Sequence, residues 1–292
     1  MTTETASSDT GADAGRRLQC LEVWGGNRFV STAVTLPGLD AWVYSMPADG
    51  EASVGGGDVH YASSCATGAL SRLLIADVSG HGADASETAR RLRKIMQRHV
   101  NYHTQTRFVR ALNAEFAGMA RAGRFATAVA FSYDAPINRL LVCNAGHPPP
   151  LHWHASRRDW SLLEEPDAAA LERTRDNVPL GIEDEVAYEQ FEAPIEVGDL
   201  VLCYTDALIE ARRRDGSMLD AAGVLEVIRK LDVSHPMKLI PSLLTALADE
   251  GCSIDDDLTL LLFRPNGTRP KVPLRDYLLV PLRFLRSLVR SV

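Results

Sequence analysis

The sequence predicts an α+β protein in which antiparallel sheets carry helices on their outer faces. Short runs rich in Val, Leu, Ile and aromatic residues recur between positions 18 and 264, and turn residues bound them as they bound strands. Two helical patterns follow one another after the first strand-like runs, and most later runs are consecutive along the chain. Together these observations favour antiparallel sheets with helices packed outside them.

The strand predictions rest on seven apolar runs that follow an N-terminal LQCLEVW segment. They are LDAWVYS (39–45), LSRLLIAD (70–77), FATAVAFSY (125–133), RLLVCNA (139–145), VAYEQFEA (186–193), DLVLCYTD (199–206) and DLTLLLF (257–263). Apolar residues at helical spacing predict helices over about 84–102, 105–121 and 236–250. The polar, charged segment 155–178 is predicted to be an exposed loop.

The composition limits the class of protein and its compartment. Of the 292 residues, 46% are hydrophobic and 24% charged, which is typical of a globular domain. The formal net charge of −7 argues against a nucleic-acid-binding surface, which is usually basic. Five scattered cysteines form no CxxC pair, as expected for reduced thiols in the cytosol. Because no apolar run reaches about 20 residues, the sequence predicts no membrane span.

We predict three regions along the chain. Residues 1–17 are mostly small, polar and acidic, without the features of a signal peptide, and are predicted to be a disordered leader. Residues 18–264 form one domain, and residues 265–292 form a basic tail. From residue 264 onward the charge is +6, which leaves −13 for the rest. The tail is predicted to dock on the body or a partner, or to lie on a membrane surface; Pro281 weakens a continuous helix.

Acidic residues stand where several strand-like runs begin or end. Asp58 follows a glycine-rich turn, Asp77 and Asp206 end runs, and residues 255–257 are acidic at the start of the last run. Asp77 alone could instead cap the helix that begins soon after it. If the strand ends converge, their carboxylates repel one another unless a cation lies among them. Oxygen ligands suit Mg²⁺ or Mn²⁺, and two such ions about 3.5–4 Å apart serve phosphoryl hydrolysis.

Six motifs occur in one order along the chain. They are GGD (56–58), DVSGHG (77–82), NAGHPPPL (144–151), VPLGI (178–182), GDLVLCYTDALIEAR (198–212) and DDLTLLLFR (256–264). In this order they resemble the SpoIIE-like branch of the metal-dependent protein phosphatases, the PPM family related to protein phosphatase 2C. The resemblance covers about residues 40–264. It implies an αββα four-layer sandwich of two antiparallel sheets, and a protein serine/threonine phosphatase that uses two Mn²⁺ or Mg²⁺ ions.

The resemblance assigns site residues motif by motif. The implied metal ligands are Asp58, Asp77, the backbone carbonyl of Val78, Asp206 and Asp256, with Asp77 bridging both ions. Asp77, Asp206 and Asp256 would carry catalysis through a metal-bound hydroxide, which is the nucleophile. His81 and Asp257 are candidate substrate contacts, although a solvated turn histidine explains His81 equally well.

Two positions depart from the family's pattern. Ala207 stands where a glycine usually follows the YTD aspartate. Its methyl group requires ordinary backbone angles, which leaves open a slightly different direction for the Asp206 side chain. His81 stands where lysine is often found. Of the other motif residues, we expect His147 to fix a turn and Glu210 to form a structural ion pair.

The implied substrate is a phosphorylated signalling protein, with an anti-sigma-factor antagonist as the leading candidate. The alternative function is a catalytically weak phosphatase-like scaffold that regulates a partner by binding it; the intact acids disfavour it. A nucleotide-binding kinase-like protein is a third hypothesis, but the chain has no GxxxxGK[ST] loop, the motif that binds nucleotide phosphates. We expect a cytoplasmic protein, peripheral to the inner membrane if the tail binds lipid. The sequence leaves a homodimer open.

Overall fold

The structure is a computed structural model that describes residues 15–18, 22–48, 55–65, 68–80, 82–99, 102, 104–119, 124–164 and 178–269. The strands are β1 (Arg16–Arg17), β2 (Val23–Gly26), β3 (Val30–Leu36), β4 (Leu39–Met46), β5 (Asp58–Ser64), β6 (Leu70–Val78), β7 (Ala126–Asp134), β8 (Arg139–Ala145), β9 (Leu151–His154), β10 (Asp159–Leu162), β11 (Phe191–Ala193), β12 (Leu200–Tyr204) and β13 (Leu258–Pro265). The helices are α1 (Gly82–Arg98), α2 (Gln105–Met119), α3 (Asp206–Ile209), α4 (Asp220–Arg229) and α5 (Pro236–Asp249).

The strands form two sheets. One has the order β1-β3-β4-β13-β12-β9-β10, and the other has the order β11-β8-β7-β6-β5-β2. Between the named strands of the described chain, the β1–β3 pair is parallel and every other pair is antiparallel. Three of the six neighbouring pairs in the first sheet and three of the five in the second are also neighbours in sequence, as the consecutive strand-like runs predict.

Three clusters of buried hydrophobic residues lie between four layers, which are helices, one sheet, the other sheet and helices again. Successive residues of a strand face opposite sides, so Leu73 of β6 packs between the sheets while Leu74 packs under α1 and α2. Phe131 and Phe263, from opposite sheets, meet edge-on in the middle layer with ring centroids 5.0 Å apart. The outer face of the seven-stranded sheet packs against α4 and α5. Helices therefore cover both outer faces, and the predicted antiparallel α+β fold is confirmed.

Several predicted elements differ from the structure. The predicted loop at 155–178 contains β10, which pairs with β9 and buries Trp160 completely; residues 165–177 of this prediction lie outside the described residues. A strand of only four residues among charged neighbours gives no clear sequence pattern. Of the predicted strand at 186–193, only β11 at its end is a strand. Strands β1, β3, β5 and β9 and helices α3 and α4 have no counterpart among the sequence predictions. Most of them are short or contain few large apolar residues.

Two predicted regions fall largely outside the described residues: the leader, up to residue 14, and the tail, from residue 270. Among the residues that the structure does describe, no helix has the length and apolar character needed to cross a membrane.

Candidate metal centre

Two of the predicted acids face each other across paired strands. Asp58 is the first residue of β5, and Asp77 is the next-to-last residue of β6. The antiparallel register places them directly opposite one another, where side chains project to the same face and like charges destabilise the pair. Asp58 is buried and Asp77 is half-buried. Two carboxylates in this position require compensation from another group.

The other predicted acids come from the second sheet. Asp206 begins α3, two residues after the end of β12, and Asp256 lies two residues before β13. These strands are antiparallel neighbours, so the end of one lies beside the start of the other. The chain thus brings acids of the GGD, DVSGHG, YTD and DD motifs to one edge of the sandwich.

One hydroxyl group joins the two sheets at this edge. Thr205, which is fully buried, donates a hydrogen bond from Oγ1 to Oδ2 of Asp58 over 2.9 Å. Oγ1 of Thr205 also accepts the backbone N–H of Thr259 of β13, at 2.9 Å. Thr205 therefore fixes the position of Asp58 relative to the strands that carry Asp206 and Asp256.

A second set of contacts holds the glycine-rich turn before β5. The carboxylate of Asp257 accepts the backbone N–H groups of Ala48, at 2.7 Å, and of Gly57. A side chain at Gly56 would collide with that carboxylate, so this position requires glycine. Asn27, buried beneath the turn, donates from Nδ2 to the Gly56 carbonyl at 2.9 Å. Oδ2 of Asp257 thus holds the turn at Gly57, while Oδ1 is engaged by Ala48 after β4.

Burial and mutual repulsion disfavour the charged forms of these acids. Burial, and then the charge of Asp77, raise the pKa of Asp58 well above its usual range. Burial, followed by the charges of Asp206 and Asp256 and two further acids, raises the pKa of Asp77 to about 7. Burial, then Glu210 and Asp256, also raise the pKa of Asp206. All three carboxylates would ionise more readily beside a cation.

The donor set fits a hard divalent cation. Oδ1 of Asp58 is buried and finds no hydrogen-bond partner within the described chain, although such an atom normally has one. The atoms gathered around it are oxygens, which Mg²⁺ and Mn²⁺ prefer. Glycine at position 57 keeps the approach to the neighbouring strand end free, because a Cβ there would lie 3.0 Å from the Val78 carbonyl oxygen.

Three further predictions can be compared with the structure. His81 lies outside the described residues. His147 is buried, and the Asn144 side chain bonds both its N–H (2.7 Å) and its carbonyl (2.8 Å), which agrees with a turn-fixing role. The predicted ion pair of Glu210 is absent from the described part of the chain. Its carboxylate is exposed and instead adds to the negative potential around Asp77.

A scan against family models matches the model of stage II sporulation protein E (SpoIIE) over residues 68–266. The chain belongs to the SpoIIE family. This membership confirms the resemblance that the six motifs carry. Among curated proteins, this SpoIIE-family chain is 22% identical over 195 residues to the phosphoserine phosphatase RsbU of Bacillus subtilis (strain 168), covering 66% of this chain. It spans about half of that relative, 55% of its length.

Solved structures share the fold of this SpoIIE-family chain. The RsbU and RsbW domains of Rv1364c from Mycobacterium tuberculosis superpose with a TM-score of 0.66 at 24% identity, covering 90% of this chain and 72% of that one. The SiaA-PP2C domain of Pseudomonas aeruginosa superposes with a TM-score of 0.62 at 16% identity, covering 77% of this chain and 84% of that one. The catalytic domain of the phosphatase PstP, solved with two manganese ions, superposes with a TM-score of 0.52 at 16% identity, covering 77% of this chain and 97% of that one. The predicted protein phosphatase 2C-like sandwich is confirmed.

Proposed function

We propose that this SpoIIE-family chain is a metal-dependent protein serine/threonine phosphatase. The observation that carries the proposal is the convergence of Asp58, Asp77, Asp206 and Asp256 from both sheets at one edge of the sandwich. A buried oxygen without a partner and raised pKa values mark this edge as a place that favours a cation. The family and its relative RsbU, named as a phosphoserine phosphatase, support the same conclusion.

We assign each residue of the centre a role. Asp58, Asp77, Asp206, Asp256 and the Val78 carbonyl would hold two Mn²⁺ or Mg²⁺ ions. When bound, such ions lower the pKa of a coordinated water and neutralise charge on a phosphoryl group. The protein's own part is to hold the carboxylates in place, through Thr205 beneath Asp58 and Asp257 beneath the glycine-rich turn. Asp257 would act by positioning this turn, because both of its oxygens already accept backbone N–H groups.

The substrate we propose is phosphoserine or phosphothreonine on a signalling protein, with an anti-sigma-factor antagonist as the specific candidate. The support is the family membership and the similarity to RsbU, a phosphoserine phosphatase. We assign the activity to residues 18–264. A cytoplasmic location, a tail that contacts a partner or a membrane, and a homodimer stay predictions from the sequence.

The proposal is tested with the purified full chain after EDTA treatment. Phosphate release is measured from a phosphoserine peptide and from a phosphotyrosine peptide of the same sequence, with and without Mn²⁺ or Mg²⁺. We expect metal-dependent release from the phosphoserine peptide, and loss of that release in Asp206→Asn and Asp256→Asn. Asp249→Asn is the matched control, because Asp249 is exposed at the end of α5. No metal-dependent release from either peptide, or from p-nitrophenyl phosphate assayed in the same way, would instead support the scaffold function.

A further inference from the structure

A second group of metal-binding side chains lies away from the acidic centre. His152 and His154 stand two residues apart on β9 and so project from the same face. Asp199 precedes β12, the strand that pairs with β9. Each of the three residues offers a ligand atom, and these atoms all lie within 4.8 Å of one another. No local sequence pattern marks this cluster, because Asp199 is 45 or more positions away from both histidines.

The spacing within the cluster suits a shared metal ion. Nε2 of His152 lies 3.2 Å from Oδ2 of Asp199. Two ligands about 2.0–2.2 Å from one ion, at ordinary coordination angles, lie about 3–3.5 Å apart. The rings of His152 and His154 are adjacent, with centroids 3.9 Å apart. The present hydrogen bond thus holds two donor atoms at the separation that an ion between them would need.

The surroundings orient these side chains. His152 is 2% exposed and Asp199 is 5% exposed. Asp199 accepts backbone N–H groups of Ala155, at 2.8 Å, and Glu196, at 3.0 Å. Nε2 of His154 lies 3.0 Å from Oγ of Ser161 on β10. Hydrogen bonds of this kind fix ligand side chains around bound metals, and here they are already in place.

We propose that His152, His154 and Asp199 bind one transition-metal ion of the zinc class. Imidazole nitrogens favour Zn²⁺ and its neighbours, whereas the all-oxygen acidic centre favours harder ions. The two sites are separate: Asp199 and Asp206 lie at opposite ends of β12, about 20 Å apart along an extended strand. The ion would tie the β9–β10 hairpin to the start of β12 at the edge of the seven-stranded sheet. The proposal does not depend on phosphatase activity.

The test is a calorimetric titration of the EDTA-treated full chain with Zn²⁺, in excess Mg²⁺ to occupy the acidic centre. We expect wild-type protein to bind one equivalent more than His154→Ala and to gain thermal stability that this variant does not gain. His235→Ala is the matched control, because His235 is exposed at the start of α5; it should bind as wild type does. Equal Zn²⁺ binding by wild type and His154→Ala would overturn the proposal.

A measurement on unmutated protein guards against misfolding of the variant. Co²⁺ replaces Zn²⁺ in nitrogen-containing sites and makes them absorb visible light. We expect one equivalent of Co²⁺ to give a visible band in wild-type protein with Mg²⁺ present, and excess Zn²⁺ to remove it. If Co²⁺ gives no band beyond that of the hydrated ion, the three residues form only a hydrogen-bonded contact and the proposal fails.

Discussion

Thr205 is the residue through which one sheet positions an acid of the other. Its hydroxyl donates to Asp58 and accepts the N–H of Thr259, and it is fully buried. Removing a hydroxyl of this kind leaves a buried acceptor and a buried donor without partners, which costs more than one exposed hydrogen bond. The position of Asp58 therefore depends on a residue that is not one of the acids of the centre.

We predict that Thr205→Val lowers the free energy of unfolding by about 1–3 kcal/mol and weakens Mn²⁺ binding. Urea denaturation of metal-free protein measures the first effect, and calorimetry measures the second. Thr205→Ser keeps the hydroxyl, so its free energy of unfolding and its Mn²⁺ affinity should be closer to those of wild type than the values of Thr205→Val. Thr245→Val is a matched control, because Thr245 bonds an exposed carbonyl of its own helix; it should change stability by less than about 0.5 kcal/mol. Equal losses in Thr205→Val and Thr245→Val would contradict this role.

The sequence identifies residues of the acidic centre only where a motif marks them. Asp58, Asp77, Asp206 and Asp256 stand out because acids at strand ends are unusual and recur. Thr205 lies beside one of them in the YTD motif, but its partner is on the opposite sheet. Contacts between residues this far apart in sequence form only when the sheets pack, so no local pattern could reveal them.

At the scale of elements, the short helix α3 aims Asp206. Ala207, where the family usually has glycine, is its second residue and is 3% exposed. It is not among the described residues with positive φ, so the expected ordinary backbone angles are confirmed. The methyl group packs in the cluster beneath α4 and α5. This packing indicates that the helix tolerates alanine without distortion.

We predict that Ala207→Gly destabilises the protein by about 1–2 kcal/mol, from greater unfolded-chain entropy and loss of a buried methyl group. Phosphatase activity should not increase. Ala222→Gly, at an exposed position of α4, is the control for the backbone effect alone. Thermal unfolding and phosphate release measure both properties. An activity more than tenfold above wild type would show that the methyl group displaces Asp206.

The elements predicted well are those with long periodic patterns. Strands β4, β7 and β8 and helix α5 lie within about two residues of their predictions, as expected for strongly patterned segments. Strand β10 has no counterpart among the sequence predictions, although its Trp160 is buried and its Asp159 pairs with Arg229 of α4. A four-residue strand gives too few alternations to be recognised without its neighbours.

At the scale of the molecule, the acidic centre opposes folding when metal is absent. The pKa of Asp77 is raised to about 7 in the folded chain, above the usual value for an unfolded aspartate. Between about pH 4 and pH 7 the folded state therefore binds more protons than the unfolded state. The contribution of Asp77 to stability therefore falls as the pH rises through this window and levels off above it.

We predict that metal-free protein is more stable at pH 5.5 than at pH 7.5, with Asp77 contributing at most about 2 kcal/mol to the difference. Urea unfolding in EDTA measures it across the pH range. Mn²⁺ should reverse the trend, because its ligands must be ionised. Asp77→Asn should flatten the metal-free profile, while Asp249→Asn should leave it unchanged. A metal-free stability that rises from pH 5.5 to pH 7.5 would contradict the raised pKa.

The central claim is that acids from both sheets form one ion-dependent phosphatase centre. Asp77 is its most informative member, because it faces Asp58 directly and senses the charges of Asp206 and Asp256. The decisive measurement is phosphate release from a phosphoserine peptide at saturating Mn²⁺ by Asp77→Asn, beside wild type and Asp249→Asn. Replacing a residue that only orients metal ligands typically lowers metal affinity or activity by about 10–100-fold. We therefore expect the phosphatase activity of Asp77→Asn to fall by at least about 100-fold and that of Asp249→Asn to stay at the wild-type value. Wild-type turnover in a folded Asp77→Asn protein would contradict the claim.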